Sequence, residues 1–143
     1  NHFSSKGSDE PLTGRWQPPA RPTESQRHAQ ARVVHDFVAD VLDVQPSAAI
    51  AVVGDLNDFE FSRTIDLLVG SDHRPTLYDL PRELPGRERY GYVYQGNSQV
   101  LDHILLSPGA RRWRPSYDIV HVNAEFADQD SDHDPQIVRL AVR

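Results

Sequence analysis

A mixed α/β or α+β layer, with an antiparallel sheet lying under helices, is the fold class this sequence predicts. Three observations point there: one long stretch with helical apolar spacing, one short continuous apolar run, and four later segments with the character of strands. Its 143 residues suit a single domain spanning 1–143. With 38% hydrophobic and 25% charged residues the chain belongs among globular proteins, not disordered or collagen-like ones.

The elements follow in order. Ser4 to Pro22 carries Gly7, Gly14, Pro11, Pro18, Pro19 and Pro22, and reads as a long loop because proline blocks both helix continuation and ladder hydrogen bonds. Thr23 with Gln26 has the form of a capping box. Beyond it Ala29, Val33, Phe37 and Val41, with Val34, Val38 and Leu42, predict an amphipathic helix that Pro46 closes. Ala48 to Val53 is a continuous apolar run ending in Gly54, which predicts a strand buried on both faces. Phe61 to Val69 predicts a short helix, and Leu77 to Gly91 a loop broken by Pro81, Pro85 and Gly86. Tyr90–Tyr94 and Gln99–Ser107 predict a hairpin across Gln95-Gly96-Asn97-Ser98. Tyr117–Val122 and Gln136–Val142 alternate well enough for two more strands.

Composition narrows the chemistry. Zero cysteines exclude disulfides, zinc knuckles and a thiol nucleophile within these residues. The net charge of −6 argues against a basic nucleic-acid binder driven by electrostatics alone. It leaves room for an enzyme that handles phosphates through bound cations, where clustered carboxylates are needed. The longest mostly apolar run, Ala48–Val53, is too short to cross a bilayer, so no membrane partner is expected. Methionine is absent, initiator included. The expectation is a piece of a longer chain, with any export signal upstream.

Four polar clusters fall at element ends, where a scaffold displays functional side chains. They are Asn1-His2-Phe3, Gly54-Asp55-Leu56-Asn57-Asp58, Asp102-His103 and Ser131-Asp132-His133-Asp134-Pro135. Gly-Asp-x-Asn also suits a plain turn, since Asp and Asn favour turns and Gly permits φ > 0. Asp102 interrupts an apolar strand, and a buried carboxylate needs a partner to stay ionised. His103 should point to the opposite face and serve structure. The aspartates at 128, 130, 132 and 134 do not form an EF-hand, because His133 stands where Gly is required and Arg139 where Glu is required. Asp128 and Asp130 then read as a solvated acidic turn.

Together the clusters suggest phosphoryl chemistry. Asp55 and Asp132 offer hard oxygens for Mg²⁺, Mn²⁺ or Ca²⁺. His133 can carry a proton, with Asp102 the best candidate to orient it. Asn57 can donate its amide to a phosphate oxygen or position the attacking water. A Ser-His-Asp hydrolase is disfavoured because no Gly-x-Ser-x-Gly elbow occurs.

These residues resemble the endonuclease/exonuclease/phosphatase superfamily, the deoxyribonuclease I-like fold. The resemblance rests on His2 in Asn-His-Phe, the Gly-Asp-Leu-Asn-Asp block, Leu-Asp-His-Ile-Leu-Leu-Ser at 101–107 and Ser-Asp-His-Asp-Pro, in that order. It covers the C-terminal half of that fold and nearly the whole chain. Asn-His-Phe-x-Ser-Lys-Gly, His121-Val-Asn123-Ala-Glu-Phe126 and Asp134-Pro135 resemble most the bacterial extracellular nuclease branch.

The resemblance implies half of a four-layer αββα sandwich, mainly antiparallel sheet with flanking helices. It implies hydrolysis of a phosphodiester in DNA, or in RNA, by a metal-activated water, in a secreted protein. His2 would contact the scissile phosphate, and Asp55 and Asn57 would activate water and hold the phosphate, with Asn1 beside them on the substrate. Asp102 would pair with His133, which acts as base or stabilises the pentavalent phosphorus, while Asp132 with Asp55 would bind the metal. Ser4 stands where the secreted branch has Lys. The family's metal-binding Glu lies in an N-terminal half that this chain does not contain, so the isolated chain is expected to be inactive, with an exposed apolar sheet face, and either to self-associate or to complete itself with a second copy.

Three alternatives fit parts of the same pattern. A calcineurin-like metallophosphoesterase shares Gly54-Asp55-x-x-Asp58, but it needs Gly-Asn-His, and Gly96-Asn97 is followed by Ser98. A superfamily phosphatase would act on a phosphoinositide, sphingomyelin or another small phosphoester through the same site. A non-catalytic metal-binding module would keep the fold without turnover.

Overall fold

The computed structural model describes residues 1–71 and 73–142. In chain order the elements are α1 (Glu24–Val44), β1 (Ala51–Asp55), α2 (Arg63–Val69), β2 (Gly70–Ser71), β3 (Arg74–Pro75), β4 (Tyr78–Asp79), β5 (Tyr92–Tyr94), β6 (Asn97–Gln99), β7 (Asp102–Leu106), α3 (Pro108–Arg111), β8 (Ser116–Ile119) and β9 (Gln136–Arg139). Two 3₁₀ turns, Leu80–Glu83 and Gly86–Glu88, fill the predicted loop after β4. The class is a mixed α/β one with antiparallel pairing: β7 is the centre of a sheet ordered β1-β7-β4, and β2–β3, β5–β6 and β8–β9 are hairpins.

The register between β1 and β7 decides which side chains meet at the strand ends. Val52 faces Leu105, Gly54 faces His103, and Asp55 faces Asp102. Because strand side chains alternate, Val52, His103 and Leu105 share one face. Val52 and Leu105 pack there against Ala31 and Val38 of α1 and Ile65 and Leu68 of α2. Ile104 and Leu106 point the other way, into a second cluster with Leu80 and Ala110, covered by Tyr117, Val138 and Leu140. Each such fully buried aliphatic side chain contributes about 1.5–3 kcal/mol.

Several expectations are corrected. β1 is buried on one face only: Val52 is 5% exposed but Val53 is 47% exposed. The second cluster is built on β7, and Tyr117 of β8, Val138 of β9 and the following Leu140 pack against it, so β7 and not β1 is covered on both sides. Helix α1 turns a different stripe inward, through Ala31, Val34, Val38 and Leu42, while Val33 and Phe37 are 70% and 66% exposed. The apolar residues of α1 cover too wide an arc for one contact face, and tertiary packing chose among them.

Thr23 does not form the capping box, and its side chain makes no cap bond. Its hydroxyl instead donates to Asp9 Oδ2 at 2.8 Å and accepts from Arg27. Arg27, on the inward stripe of α1 and 1% exposed, pairs with Asp9 at 2.8 Å and Asp58 at 3.0 Å. That buried cation ties the N-terminal loop, α1 and the segment after β1 together.

The predicted strand Gln99–Ser107 is two strands, separated at Val100-Leu101. Its first part pairs with β5 across Gln95-Gly96, whose φ values of 51° and 78° match a two-residue turn of the hairpin type. The short α3 follows β7 directly, where the sequence shows no helical apolar spacing. Ser107 caps it, accepting from Ala110 N at 3.3 Å, while its hydroxyl donates to Ala48 O at 2.7 Å and accepts from Ile50 N at 2.9 Å. No helix among the described residues is long and apolar enough to cross a membrane.

Candidate active site

The end of β1 and the start of β7 lie side by side, so Asp55 and Asp102 stand opposite one another. Segment 131–134 reaches the same point just before β9, through a bridge between Tyr92 and His133. Carboxylate and imidazole atoms of Asp55, Asp102 and His133 come within 4.8 Å of one another. All three side chains are half-buried.

His133 is oriented from two sides. Its Nδ1 lies 2.5 Å from Asp102 Oδ2, and its ring rests on Tyr92 at a centroid distance of 4.8 Å. The hydrogen bond with Asp102 raises the His133 pKa above the ordinary imidazole value, overcoming the opposing effect of burial; the charges of Asp102, Asp55 and Asp132 add to the rise. Behind Asp102, Gln136 Nε2 donates to its backbone carbonyl at 2.6 Å, and Asn123 Nδ2 donates to the His133 carbonyl at 2.9 Å.

Asp55 is held by the turn that follows it. Oδ1 accepts from Asn57 N at 2.8 Å, and Oδ2 accepts from Asn57 Nδ2 at 3.2 Å. The same amide nitrogen donates to Phe3 O at 3.1 Å. Asn57 adopts φ 50°, a left-handed conformation that Asn tolerates better than other non-glycine residues. In this structure it is thus a positioning residue, spending its amide on Asp55 and on the N-terminal segment.

That segment runs parallel to the end of β1, with Phe3 N donating to Asp55 O at 2.9 Å. His2 Nε2 comes to 3.5 Å from Asp55 Oδ2, with the His2 side chain 74% exposed. The close approach requires Gly54: at φ 143°, a Cβ there would lie 1.8 Å from Asn1 O. Asn1 is exposed, and its amide donates to Val53 O at 3.2 Å. Asp132 is exposed on the turn before His133 and lies outside the cluster of three.

The remaining polar residues of the motifs serve the frame. His103 is 1% exposed, between Asp79 Oδ1 at 2.9 Å and Asp58 O at 3.0 Å. Asp58 meets Arg27 and the Thr64 hydroxyl. Asp134 accepts from Val122 N, Asn123 N and Ala124 N at 3.0, 2.7 and 3.0 Å, and His121 Nδ1 lies 3.1 Å away. Although burial opposes it, these partners hold the Asp134 carboxyl below its ordinary range. Asp128 and Asp130 are exposed. Tyr92 and Gln136 escaped the sequence reading, because each acts by meeting a residue more than thirty positions away and has no local signal.

The model of the Endonuclease/Exonuclease/phosphatase family matches residues 2–133. This chain belongs to that family. The match spans His2, Asp55, Asn57, Asp102 and His133. The fold also resembles that of a mannosyl-6-phosphatase from Bacteroides thetaiotaomicron, with 21% identity and a TM-score of 0.54 over 82% of this chain. The chain spans 46% of the length of that protein. No curated protein sequence matches significantly.

The donor set fits a divalent cation. The carboxylates of Asp55 and Asp102 converge within 4.8 Å beside the imidazole of His133, whose Nδ1 is taken by Asp102, and carboxylate oxygens of this kind suit Mg²⁺, Mn²⁺ and Ca²⁺.

Proposed function

We propose that this chain carries the reacting face of a secreted nuclease, a metal-dependent phosphodiester hydrolase that cleaves DNA, with RNA as the alternative substrate. The observation that carries the reading is the convergence of Asp55 with the Asp102–His133 pair, on a chain of this family. Resemblance of the Asn-His-Phe and Ser-Asp-His-Asp-Pro segments to bacterial extracellular nucleases supports the choice of substrate and compartment.

Asp55 would hold the cation where it converges with Asp102 and His133, and the exposed Asp132, outside that cluster, would approach to share it. When bound, it neutralises charge on the phosphate and polarises the P–O bond. With Nδ1 committed to Asp102, His133 offers Nε2 to the reacting phosphate. Its raised proton affinity makes it a stronger base and lets it hold positive charge opposite the phosphorus as negative charge develops there. Exposed His2 faces the same point and contacts the scissile phosphate, Asn1 borders the substrate, and Asn57 keeps Asp55 in place.

The test is plasmid degradation by the full-length protein with Mg²⁺ or Mn²⁺, repeated with a chelator and with His133→Ala. Cutting that both treatments abolish is expected. No cutting by folded, metal-loaded protein would overturn the nuclease reading and shift the assay to a sugar phosphate, a phosphoinositide or sphingomyelin. The isolated chain is proposed to be inactive and to self-associate through exposed apolar residues such as Val53 and Ile137, 47% and 55% exposed. Sedimentation that gives a monomer at all concentrations, or metal-dependent turnover by that monomer, would refute this.

A further inference from the structure

Beside the catalytic cluster lies a cavity of about 480 Å³, and it shares Asn57 and Tyr92 with that cluster. Asn57 bonds Asp55, and Tyr92 supports the ring of His133. The cavity is therefore contiguous with the place where a phosphate would react. One wall carries Phe59 and Phe61, stacked at 5.2 Å, and another carries Tyr92 and Tyr94, near-parallel at 6.4 Å.

Lys6, the single lysine of the chain, lines this cavity. Its Nζ sits 3.7 Å above the Phe59 ring, out of solvent, and has no hydrogen-bond partner among the described residues. Burial pulls the ammonium down to about 8 against the opposing charge of Asp58, an expression of how poorly the cation is solvated there. Asp58, the carboxylate whose charge acts most strongly on it, is already engaged by Arg27 and Thr64. Arg89 lines the same cavity and leaves Nε buried without a hydrogen-bond partner among the described residues, while Nη2 donates to Arg82 O and Leu84 O and Nη1 lies 3.9 Å from Glu60 Oε1. Buried donors without acceptors are costly, and cationic ones more so. Lys6 Nζ and Arg89 Nε lack a hydrogen-bond acceptor among the described residues although Asp9, Asp58 and Glu60 also line the cavity, and together they mark a place for an acceptor from outside the chain.

We propose that Lys6 and Arg89 form a subsite for a second anionic group of the substrate, a phosphate next to the one being hydrolysed, with the aromatic walls flanking the ring that joins the two. This rests on the phosphodiesterase reading and sharpens it. The preferred substrate carries phosphates on both sides of a ring, as a nucleic-acid backbone does, and a small monoester would leave the subsite empty. An ammonium and a guanidinium are both phosphate donors, and the loss of one charge-assisted contact weakens binding by about tenfold.

Binding without turnover tests this separately from catalysis. Thymidine 3′,5′-bisphosphate and thymidine 5′-monophosphate are titrated against the chain without metal, at fixed ionic strength, following the methyl resonance of ¹³C-dimethylated Lys6. The bisphosphate is expected to bind about tenfold more tightly and to move the Lys6 signal. Lys6→Met should abolish the preference and Lys6→Arg should retain it. If Lys6→Met fails to fold, the Lys6 resonance and Lys6→Arg still decide. Equal affinity for the two ligands, an unmoved Lys6 signal, or a preference that survives Lys6→Met would overturn the subsite. None of these results depends on plasmid cleavage, so a failed subsite and a failed nuclease reading remain distinguishable.

Discussion

Replacing His103 with leucine tests how the frame holds the site. His103 and Asp79 are both fully buried side chains, with Nδ1 and Oδ1 2.9 Å apart, and Nε2 reaches Asp58 O at 3.0 Å. Both ring nitrogens face acceptors, which favours the doubly protonated imidazolium. Burial alone would lower the His103 pKa, but the Asp79 charge and the hydrogen bonds that the ring donates to Asp79 and to the Asp58 carbonyl outweigh it, so the net direction is upward.

Removing one partner of such a pair costs about 3–5 kcal/mol because the other charge is left buried. Arg82 Nε, 3.7 Å from Asp79 Oδ2, remains as a partial partner. The expected loss for His103→Leu is therefore at the low end, about 3 kcal/mol. At roughly 2–4 °C per kcal/mol for a chain near this size, that lowers Tm by about 6–12 °C.

A folded-state pKa raised above the unfolded one gives stability that is fully present below the unfolded value. It is lost as pH rises through the folded value. The His103→Leu penalty should thus be largest below the ordinary value of 6.5 and shrink in alkali. The double change His103→Leu with Asp79→Leu should recover most of the loss, since it removes both charges. Thermal unfolding by circular dichroism across pH checks all three. A single-variant loss under about 1 kcal/mol, or a penalty that does not shrink as pH rises, would refute the buried ion pair.

Other expectations concern the site more directly. Asp102→Asn should lower the His133 pKa toward the ordinary imidazole value, because its leading cause is the Asp102 hydrogen bond; an unchanged imidazole titration by NMR would refute the pairing. Gly54→Ala should destabilise the chain by about 1–2 kcal/mol or more and displace His2 from Asp55, and unchanged His2 chemical shifts together with wild-type Tm would count against the close backbone approach. Asp134→Ala strips acceptors from the 122–124 amides and should cost about 1–3 kcal/mol. Because the Asp134 pKa is depressed, its contribution exists above the unfolded carboxyl value and fades as pH falls through the folded one. Wild type and variant should converge in acid, and a gap that persists there would be inconsistent with the charge.

Much of the fold was legible locally. Apolar spacing announced α1 and α2, the run ending in Gly54 announced β1, and the polar clusters at the strand ends marked Asp55, Asp102 and His133. Alternation also put His103 on the face opposite to that of Asp102, where it is buried. These are properties of neighbouring residues, and covalent geometry and strand or helix period suffice to read them.

Tertiary structure decided what depends on partners far along the chain. The stripe of α1 that turns inward, the two-sided burial of β7 and the diversion of Thr23 to Asp9 all follow from which surfaces meet. So do the ring of Tyr92 beneath His133 and the Lys6 ammonium over Phe59. Local pattern sets what each segment can bury, but burial and ion pairing are energies between segments. Only the folded arrangement determines which surface or charge each one meets.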